Sequence, residues 1–320
     1  MNTESSPTLV PRQFPKGNHY LTVLGSGAAT PTLGRHCSAQ VLNFNGLKLL
    51  VDCGEGTQYQ IRSCRQKMQS LSTIFISHLH GDHFFGLAGL LSSMHLCGRT
   101  EPVQVFAPKG ICAALQPYFE QSGTHIDYPL TIHELEHEGA LEIYADRRCQ
   151  VSAFPLRHSV PCYGFVFREV IAGLNLRPGV RDQYHMAQID IDTVKRGGDL
   201  LLPDGTSVPN SLLTLPPRQP KSYAYCCDTA YFPELADHVR NVDLLCIEST
   251  FDNSQQALAQ LRCHCTAQQA AQVASEAGVR RLMLTHFSAR YKDVNVLVAE
   301  AQTLFPNVIA AEDGLMIGLQ

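Results

Sequence analysis

Four side chains that commonly bind metal ions fall within six consecutive residues of this 320-residue chain. They are His78, His80, Asp82 and His83, and Gly81 lies among them. Imidazole and carboxylate groups suit zinc, and a catalytic zinc ion keeps one coordination position open for water. The spacing therefore predicts a metal site that activates water. A polar loop that is merely rich in histidine is the alternative.

A buried strand over residues 73–77 is predicted immediately before this cluster and would deliver His78. Side chains alternate along a strand, so His78 and His80 would share a face and converge on one ion. Gly81 would let the chain curl, so the last two members of the cluster would face a neighbouring ion. A helix is predicted over residues 84–96, which are mostly apolar.

Other predicted strands also end on residues that can bind a metal ion. These are residues 47–51 before Asp52, 223–227 before Asp228, 242–247 before Glu248 and 281–285 before His286. Helices are predicted between several of them, including residues 57–68 and a helix that a capping box opens at Thr266. Alternating strands and helices indicate an α/β fold, and ligand sites in such folds gather where strands end.

The net charge of the chain is -4 with histidine neutral. A protein that binds nucleic acid tightly without sequence preference is usually basic. If the substrate is RNA, its contacts must therefore come from a local patch or from metal ions.

Twelve cysteines occur without a secretory signature, so we expect reduced thiols and a cytoplasmic protein. No apolar stretch approaches the ~18 residues that would span a bilayer, so no membrane association is expected.

We expect residues 1–320 to form a single domain. Residues 1–18 are predicted to be a loose N-terminal leader. Residues 169–222 are rich in proline and glycine, and we interpret them as an inserted arm in which residues 200–205 could form a small hairpin. A long surface loop without a role is the alternative.

Taken together, the motifs resemble those of the ribonuclease Z family of the metallo-β-lactamase superfamily, endonucleases that mature tRNA 3′ ends. The resemblance covers nearly the whole chain, with blocks at 24–32, 52–57, 78–83, 157–164, 227–229, 247–251, 264–267 and 285–291. The last three blocks, in this order, distinguish it from lactamases and glyoxalases. The implied fold is the metallo-β-lactamase αβ/βα sandwich, in which two mixed β-sheets are flanked by helices.

The resemblance also implies two zinc ions per subunit, with manganese or iron as alternatives. One ion would be bound by His78, His80 and His158, the other by Asp82, His83 and His286, and both by Asp228. Two metal ions ~3.5–4 Å apart can stabilise the attacking and the leaving oxygen of a displacement together.

The mechanism we expect is attack of a metal-bound hydroxide on the scissile phosphorus. Asp82 would accept the proton of the water, and His264 would protonate the departing 3′ oxygen, because an alkoxide is a poor leaving group. The products would be a tRNA with a 3′-hydroxyl and a trailer with a 5′-phosphate.

Several of these roles have competing interpretations. His264 could instead cap the following helix or be a buried structural residue. Glu248 could orient His264 or be structural only, and Arg35 and Arg290 could bind phosphates or simply lie on the surface. The remaining histidines, His36 among them, are assigned to the surface or to packing.

The predicted function is zinc-dependent cleavage of the 3′ trailer from precursor tRNA by a homodimer. The sequence of the predicted arm does not match the Gly-Pro-rich motif of the family arm. His36 stands where asparagine is commoner in the family. A phosphodiesterase or other hydrolase acting on cyclic nucleotides or another small ester is therefore an alternative. A non-catalytic interaction module is a second alternative.

Overall fold

The computed structural model describes residue 15 and residues 17–319, so most of the predicted leader, residues 1–14 and 16, lies outside the described residues. Sixteen strands occur in the described part: β1 (His19–Gly25), β2 (Ala39–Phe44), β3 (Leu47–Val51), β4 (Leu71–Phe75), β5 (Val103–Pro108), β6 (Leu130–Leu135), β7 (Leu141–Ala145), β8 (Cys149–Pro155), β9 (Tyr163–Glu169), β10 (Leu200–Leu201), β11 (Ser207–Val208), β12 (Ser222–Cys226), β13 (Leu244–Glu248), β14 (Leu282–Thr285), β15 (Val308–Ala310) and β16 (Met316–Gly318).

Eleven α-helices connect these strands within the same residues, together with 3-10 turns at Met68–Ser70 and Asn253–Gln255. They are α1 (Thr57–Ser63), α2 (Gly81–Phe84), α3 (Leu87–Leu96), α4 (Ile111–Ser122), α5 (Val180–Gln183), α6 (Gln188–Lys195), α7 (Asn210–Leu213), α8 (Leu235–His238), α9 (Gln256–Leu261), α10 (Ala267–Ala277) and α11 (Asn295–Gln302). None of the helices in the described part of the chain has both the length and the apolar character needed to cross a bilayer.

The strands form two seven-stranded sheets and a two-stranded ribbon of β10 and β11. The first sheet has the order β16-β1-β2-β3-β4-β5-β6, and the second has the order β15-β14-β13-β12-β9-β8-β7. Both sheets are mixed: β3 to β6 and β12 to β15 run parallel, whereas the other neighbours are antiparallel. The prediction of two mixed sheets flanked by helices is confirmed.

The two sheets face each other across the main hydrophobic core, where Phe75 of the first sheet contacts Phe165 and Phe167 of the second. A second core lies between the first sheet and α1, α3 and α4. The central strands are buried on both faces, so they read as continuous apolar runs rather than as alternating patterns.

The connection between β2 and β3 is a two-residue hairpin turn, Asn45-Gly46. Asn45 and Gly46 both have positive φ angles, of 49° and 86°. Two-residue hairpins favour such turns because their twist matches that of the flanking strands. The hairpin brings Asp52, which directly follows β3, to the same edge of the sheet as the end of β4.

The structure corrects two predictions about where elements end. β4 ends at Phe75, so His78 lies in a loop rather than on the strand. Ile76 N–H still donates to Phe106 O of β5 at 2.8 Å, but Ser77 N–H donates to the Asp52 carboxylate at 2.8 Å instead of to a neighbouring strand. The helix predicted over 57–68 ends at Ser63, since Arg65 adopts a left-handed conformation with φ 55° that terminates it.

The helix predicted over residues 84–96 is also divided. α2 ends at Phe84 and α3 begins at Leu87. Between them, Gly86 N–H donates to Cys53 O at 2.9 Å, and a Cβ on Gly86 would lie 2.2 Å from Gly54 O. This close approach fixes α2, which carries two of the clustered residues, against the loop after β3.

Residues 170–221 lie between β9 and β12, which pair directly with each other. This segment has its own small apolar core around Val194 and Leu213, and β10 and β11 form the short hairpin that the sequence suggests. The interpretation of the segment as an arm that contacts a substrate stays a prediction.

Candidate metal centre

The clustered histidines and carboxylates come from both sheets and meet at one edge of the sandwich. The first sheet supplies the loop after β4 and the first turn of α2. The second sheet supplies the β8–β9 loop and the ends of β12 and β14. The side chains concerned are His78, His80, Asp82, His83, His158, Asp228 and His286.

Their donor atoms form two groups, each with all atoms within 4.8 Å of one another. The first group consists of His78, His80, His158 and Asp228, and the second consists of Asp82, His83 and His286. These are the same two sets that the sequence assigns to two ions.

The two oxygens of Asp228 face different groups. Its Oδ2 lies 3.7 Å from His78 Nε2 and 3.8 Å from His158 Nε2. Its Oδ1 lies 3.1 Å from His286 Nε2 and 3.5 Å from His83 Nε2. A carboxylate divided in this way can bridge two metal ions.

Distances between nitrogen atoms test whether the groups fit zinc. Two nitrogens on one tetrahedral zinc ion, each about 2.05 Å from it, lie about 3.3 Å apart. His158 Nε2 lies 3.3 Å from His80 Nδ1, and His83 Nε2 lies 3.3 Å from His286 Nε2. These two pairs of nitrogens, one in each group, are therefore spaced as ligands of a tetrahedral ion.

Buried polar atoms give a second, independent test. His78 Nε2 and Asp228 Oδ1 are buried and form no hydrogen bond of acceptable geometry, although imidazole nitrogens surround the carboxylate. Leaving such atoms without a partner costs free energy, and groups of this kind usually coordinate a metal. The residues present fit a metal ion.

Histidine charge controls both carboxyl groups. Burial would raise the pKa of Asp82, but the hydrogen bonds of His286 and His83 hold it well below its usual range. Burial would likewise raise the pKa of Asp228, but the charges of His286 and His83 lower it. Both groups are therefore ionised at neutral pH, as metal ligands must be.

The outer nitrogen of several histidines is held by a partner behind the site. Asp52 Oδ2 accepts from His83 Nδ1 at 2.7 Å, and Cys263 O accepts from His158 Nδ1 at 3.1 Å. Such partners fix which ring nitrogen carries the proton and leave the other nitrogen to face an ion.

Sequence reasoning placed Asp52 at a strand end but gave it no role. Its carboxylate also accepts hydrogen bonds from Ser77 N at 2.8 Å and from the Tyr225 hydroxyl at 2.7 Å. An acidic residue after an apolar strand, followed by a Gly-Glu-Gly loop, was the available signal. Its partner His83 could not be read from that signal.

His264 lies beside the two groups, and its Nδ1 is 2.7 Å from Glu248 Oε1. Burial lowers the pKa of His264, but the charge and hydrogen bond of Glu248 outweigh burial and raise it to about 9. His264 is therefore protonated at neutral pH. It does not cap the next helix, because Thr266 does so with its own hydroxyl.

Glu248 is fully buried and connects His264 to the rest of the centre. Its Oε1 accepts from Thr229 N at 2.8 Å, next to Asp228. Its Oε2 accepts from the Thr250 hydroxyl at 2.7 Å, and that hydroxyl lies 3.0 Å from His286 Nδ1. The Glu248 carboxylate thus contacts His264 directly, Asp228 through the adjacent Thr229, and His286 through Thr250.

A cleft of about 440 Å³ opens over these side chains. Arg290 lines it, with its guanidinium 4.7 Å from the centre of the Phe251 ring. Arg35 lies elsewhere: it lines an adjacent cleft of about 770 Å³ and donates to Tyr291 O at 3.3 Å. The structure therefore brings together every predicted site residue except Arg35.

Two family profiles match parts of the chain. Residues 19–173 match the profile described as anti-Pycsar protein Apyc1, and residues 204–287 match the profile described as β-lactamase superfamily domain. Each covers less than half of the chain.

Whole-chain relatives extend the match. Ribonuclease Z of Bacteroides fragilis (strain YCH46) is 41% identical over 299 residues, which cover 93% of this chain and 98% of that protein. The chain belongs to the ribonuclease Z family. Ribonuclease Z of Porphyromonas gingivalis (strain W83) is 38% identical over 297 residues, with the same coverage of each chain.

Solved structures agree with this family assignment. Human tRNase Z, short form, superposes with a TM-score of 0.70 at 28% identity, covering 94% of this chain and 99% of that one. A long-form RNase Z from yeast has a TM-score of 0.65 at 17% identity, covers 95% of this chain and 42% of that one, and supports the fold alone. The predicted metallo-β-lactamase fold and the predicted family are confirmed, and the chain is a metal-dependent hydrolase.

Proposed function

We propose that this ribonuclease Z family member is a zinc-dependent endonuclease that removes the 3′ trailer from precursor tRNA. The observation that carries the proposal is the division of Asp228 between two groups of ligands, with the His264–Glu248 pair beside them. The products are a tRNA with a 3′-hydroxyl and a trailer with a 5′-phosphate.

Two zinc ions fit the two groups. His78, His80 and His158 would hold the first, Asp82, His83 and His286 would hold the second, and Asp228 lies where both could share it. Two bound zinc ions supply a water of lowered pKa and positive charge for the phosphate oxygens. Manganese or iron could occupy the same oxygen and nitrogen ligands.

Asp82 holds the proton that the attacking water loses. Its Oδ2 already accepts a hydrogen bond from Ala29 N at 2.7 Å and lies 3.3 Å from His83 Nε2. These contacts hold the carboxylate at the floor of the cleft, with its lowered pKa keeping it ionised before the reaction.

His264 delivers a proton to the leaving 3′ oxygen. Its Nδ1–H is committed to Glu248, so the opposite nitrogen, Nε2, carries the proton that is donated. Because the ring lies between His158 and His286, at 5.3 and 5.7 Å between ring centres, the proton source stands beside the proposed ions. Arg290 contacts a phosphate flanking the scissile bond.

The RNA needs positive charge that the acidic chain as a whole does not offer. Arg181, Lys195 and Arg196 are exposed on the segment 170–221 and can contact phosphates. Arg177 is partly engaged, since its guanidinium donates to Thr214 O at 2.9 Å. We propose that this segment contacts the tRNA and that two copies of the chain form a homodimer.

The twelve cysteines all lie in the described residues and form no disulfide bond, which fits a reducing compartment. We therefore propose that the enzyme works in the cytoplasm.

The test is incubation of the purified chain with a precursor tRNA that bears a 3′ trailer, with metal analysis of the same sample. Cleavage after the discriminator base supports the proposal. Turnover of cyclic nucleotides or of a generic phosphodiester reporter, without tRNA cleavage, would favour the small-ester hydrolase instead. RNA binding without turnover of either would favour an interaction module.

Replacing His264 by Ala tests the proton donor. We expect turnover to fall on the order of 10²–10⁴-fold, because general acid catalysis contributes about that much. Zinc content should be unchanged. His125→Ala, which removes an exposed histidine, is the matched control and should keep full activity. Unchanged turnover, or loss of zinc from the His264 variant, would contradict the role.

A further inference from the structure

Asp313, which follows β15, accepts hydrogen bonds from the loop between β1 and β2. This β1–β2 loop comprises residues 26–38. Asp313 Oδ1 accepts the backbone N–H of Ser26 at 3.0 Å and its hydroxyl at 2.8 Å. Asp313 Oδ2 accepts the backbone N–H of His36 at 2.7 Å and lies 2.8 Å from its Nδ1. Two distant points of the loop are thereby held by one carboxylate.

The loop touches the second group of proposed ligands at Asp82. Ala29 N–H donates to Asp82 Oδ2 at 2.7 Å. Ala29 has a φ angle of 60°, a left-handed conformation that residues with a side chain rarely adopt. Such a conformation persists only where the surroundings enforce it.

The same loop touches the second group again at the residue after His286. Phe287 N–H donates to Ser26 O at 2.9 Å, and Ala28 N–H donates to Phe287 O at 3.1 Å. Two backbone hydrogen bonds therefore fix the chain on which His286 is carried. Nothing comparable links the loop directly to His78 or His158 among the described contacts.

The base of the loop leaves little room to shift. A Cβ on Gly25 would lie 1.8 Å from Cys37 O, and a Cβ on Gly27 would lie 3.2 Å from His36 O. The two sides of the loop therefore approach each other at backbone distance. Loss of the hydrogen bonds to Asp313 would increase the mobility of the β1–β2 loop, and Asp82 would be affected because Ala29 of this loop donates a hydrogen bond to it.

We propose that Asp313, acting through His36 and Ser26, is a positioning residue for the second metal ion. It fixes the β1–β2 loop so that Ala29 N–H orients the Asp82 carboxylate and the Phe287 backbone places the His286 ring. The inference rests on the proposed function, because it takes Asp82 and His286 as ligands of an ion.

Asp313→Asn is the first variant. Each oxygen of Asp313 accepts two hydrogen bonds, and the amide NH₂ that replaces one oxygen is a donor and cannot accept them. Glu312→Gln is the matched control, since it removes the charge of the exposed neighbouring carboxylate. The measurements are zinc affinity of each site by chelator competition, and kcat and KM on a generic phosphodiester reporter.

We expect the second zinc ion to bind on the order of 10–100-fold more weakly in Asp313→Asn, with a comparable fall in kcat. The affinity of the first ion and the KM for the reporter should stay within about twofold. The substitution disturbs groups that act in the reaction and not contacts that bind the substrate equally in the ground and transition states. A role limited to global stability would weaken both ions together. Glu312→Gln should match the unmodified protein in every measurement.

A second pair of variants keeps the test decisive if Asp313→Asn fails to fold. His36→Ala removes the imidazole contact to Asp313, whereas His36→Asn places an amide N–H close to the position of Nδ1. We expect the alanine variant to lose affinity for the second ion and the asparagine variant to recover it. Equal impairment of both would overturn the proposal.

The inference would also be overturned if Asp313→Asn bound both ions as Glu312→Gln does, or if both affinities fell equally. If the unmodified protein bound a single zinc ion, both the assignment of ligands to two ions and this inference would be refuted. The zinc affinities are measured without RNA, so this inference can be tested independently of the proposed tRNA substrate. Selective loss of the second ion, in a protein that leaves precursor tRNA intact, would support the inference and refute the proposed substrate.

Discussion

At the scale of single residues, the centre depends on groups placed behind the proposed ligands. Asp52 is fully buried and accepts hydrogen bonds from His83, Ser77 and Tyr225. A buried carboxylate is stable only when its oxygens are satisfied, and here three polar side chains satisfy it. The same contacts direct His83 Nε2 towards Asp82 and Asp228.

Asp52→Asn should lower zinc affinity or turnover on the order of 10–100-fold, because the partner behind a metal-binding histidine orients it and raises its basicity. Chelator competition and reporter turnover measure the two effects. Asp127→Asn, at a carboxylate that is 80% exposed, is the control. An Asp52→Asn variant with unchanged zinc affinity and turnover would show that His83 needs no such partner.

At the scale of elements, the segment 170–221 is attached to the second sheet through a charged clasp. Glu169, the last residue of β9, forms an ion pair with Arg218 and accepts a hydrogen bond from Lys221 N at 3.0 Å. The clasp joins the two ends of the segment where β9 and β12 begin to pair, at Arg168 and Ser222. It fixes the direction in which the segment leaves the sheet.

Glu169→Gln should cost about 1–2 kcal/mol of unfolding free energy at pH 7, the lower part of the range for charged hydrogen bonds, since Arg218 is half exposed. Burial would raise the pKa of Glu169, but Arg218 lowers it below its usual value. A depressed carboxyl pKa stabilises the fold above the unfolded-state pKa, and this stabilisation is lost as the pH falls through the folded-state value.

Urea unfolding at a series of pH values measures this contribution. The gap between the unmodified protein and Glu169→Gln should be full at pH 7 and should close in acid. Glu142→Gln, on the exposed edge strand β7, should show no gap at any pH. A gap that widened in acid would contradict the clasp.

At the scale of the whole molecule, the centre joins two sheets that are otherwise connected mainly through apolar side chains. The first sheet supplies the residues around α2, and the second supplies His158, Asp228 and His286. Ions bound between them stabilise the folded state alone, since an unfolded chain has no such site.

Zinc removal should therefore lower the thermal unfolding temperature. At a free zinc concentration about 1,000 times the Kd, binding contributes about 4 kcal/mol. Calorimetric scans with and without a chelator measure the difference. His264→Ala should keep this zinc-dependent gain and Asp228→Asn should lose most of it. Identical scans with and without zinc would count against metal binding between the sheets.

The sequence pointed to residues that lie together in the structure where its signal was local or lay at a strand end. The motif from His78 to His83 and the strand ends at Asp228 and His286 led to residues that the structure brings together. The strand prediction extended two residues too far, because no local pattern shows that Ser77 N–H bonds the carboxylate of the distant Asp52 instead of a neighbouring strand. Helix α1 ended early because nothing about Arg65 signals a left-handed residue.

The contacts that the sequence could not predict join distant segments. Asp313 and Ser26 are separated by 287 residues, and they meet because β16 pairs with β1. No local pattern records that pairing. His36 was assigned to the surface or to packing for the same reason, since its partner lies 277 residues away.

The late position of Asp313 has a consequence for synthesis on the ribosome. The chain emerges from its N-terminus, so the segment around His78 is made long before β14 and the carboxylate that fixes the β1–β2 loop. A nascent or truncated chain that stops before residue 286 contains six of the seven clustered side chains, but it lacks His286 and the Asp313 carboxylate, so the second group of ligands is incomplete. The second group can therefore assemble only after the C-terminal segment has been synthesised and β16 has paired with β1.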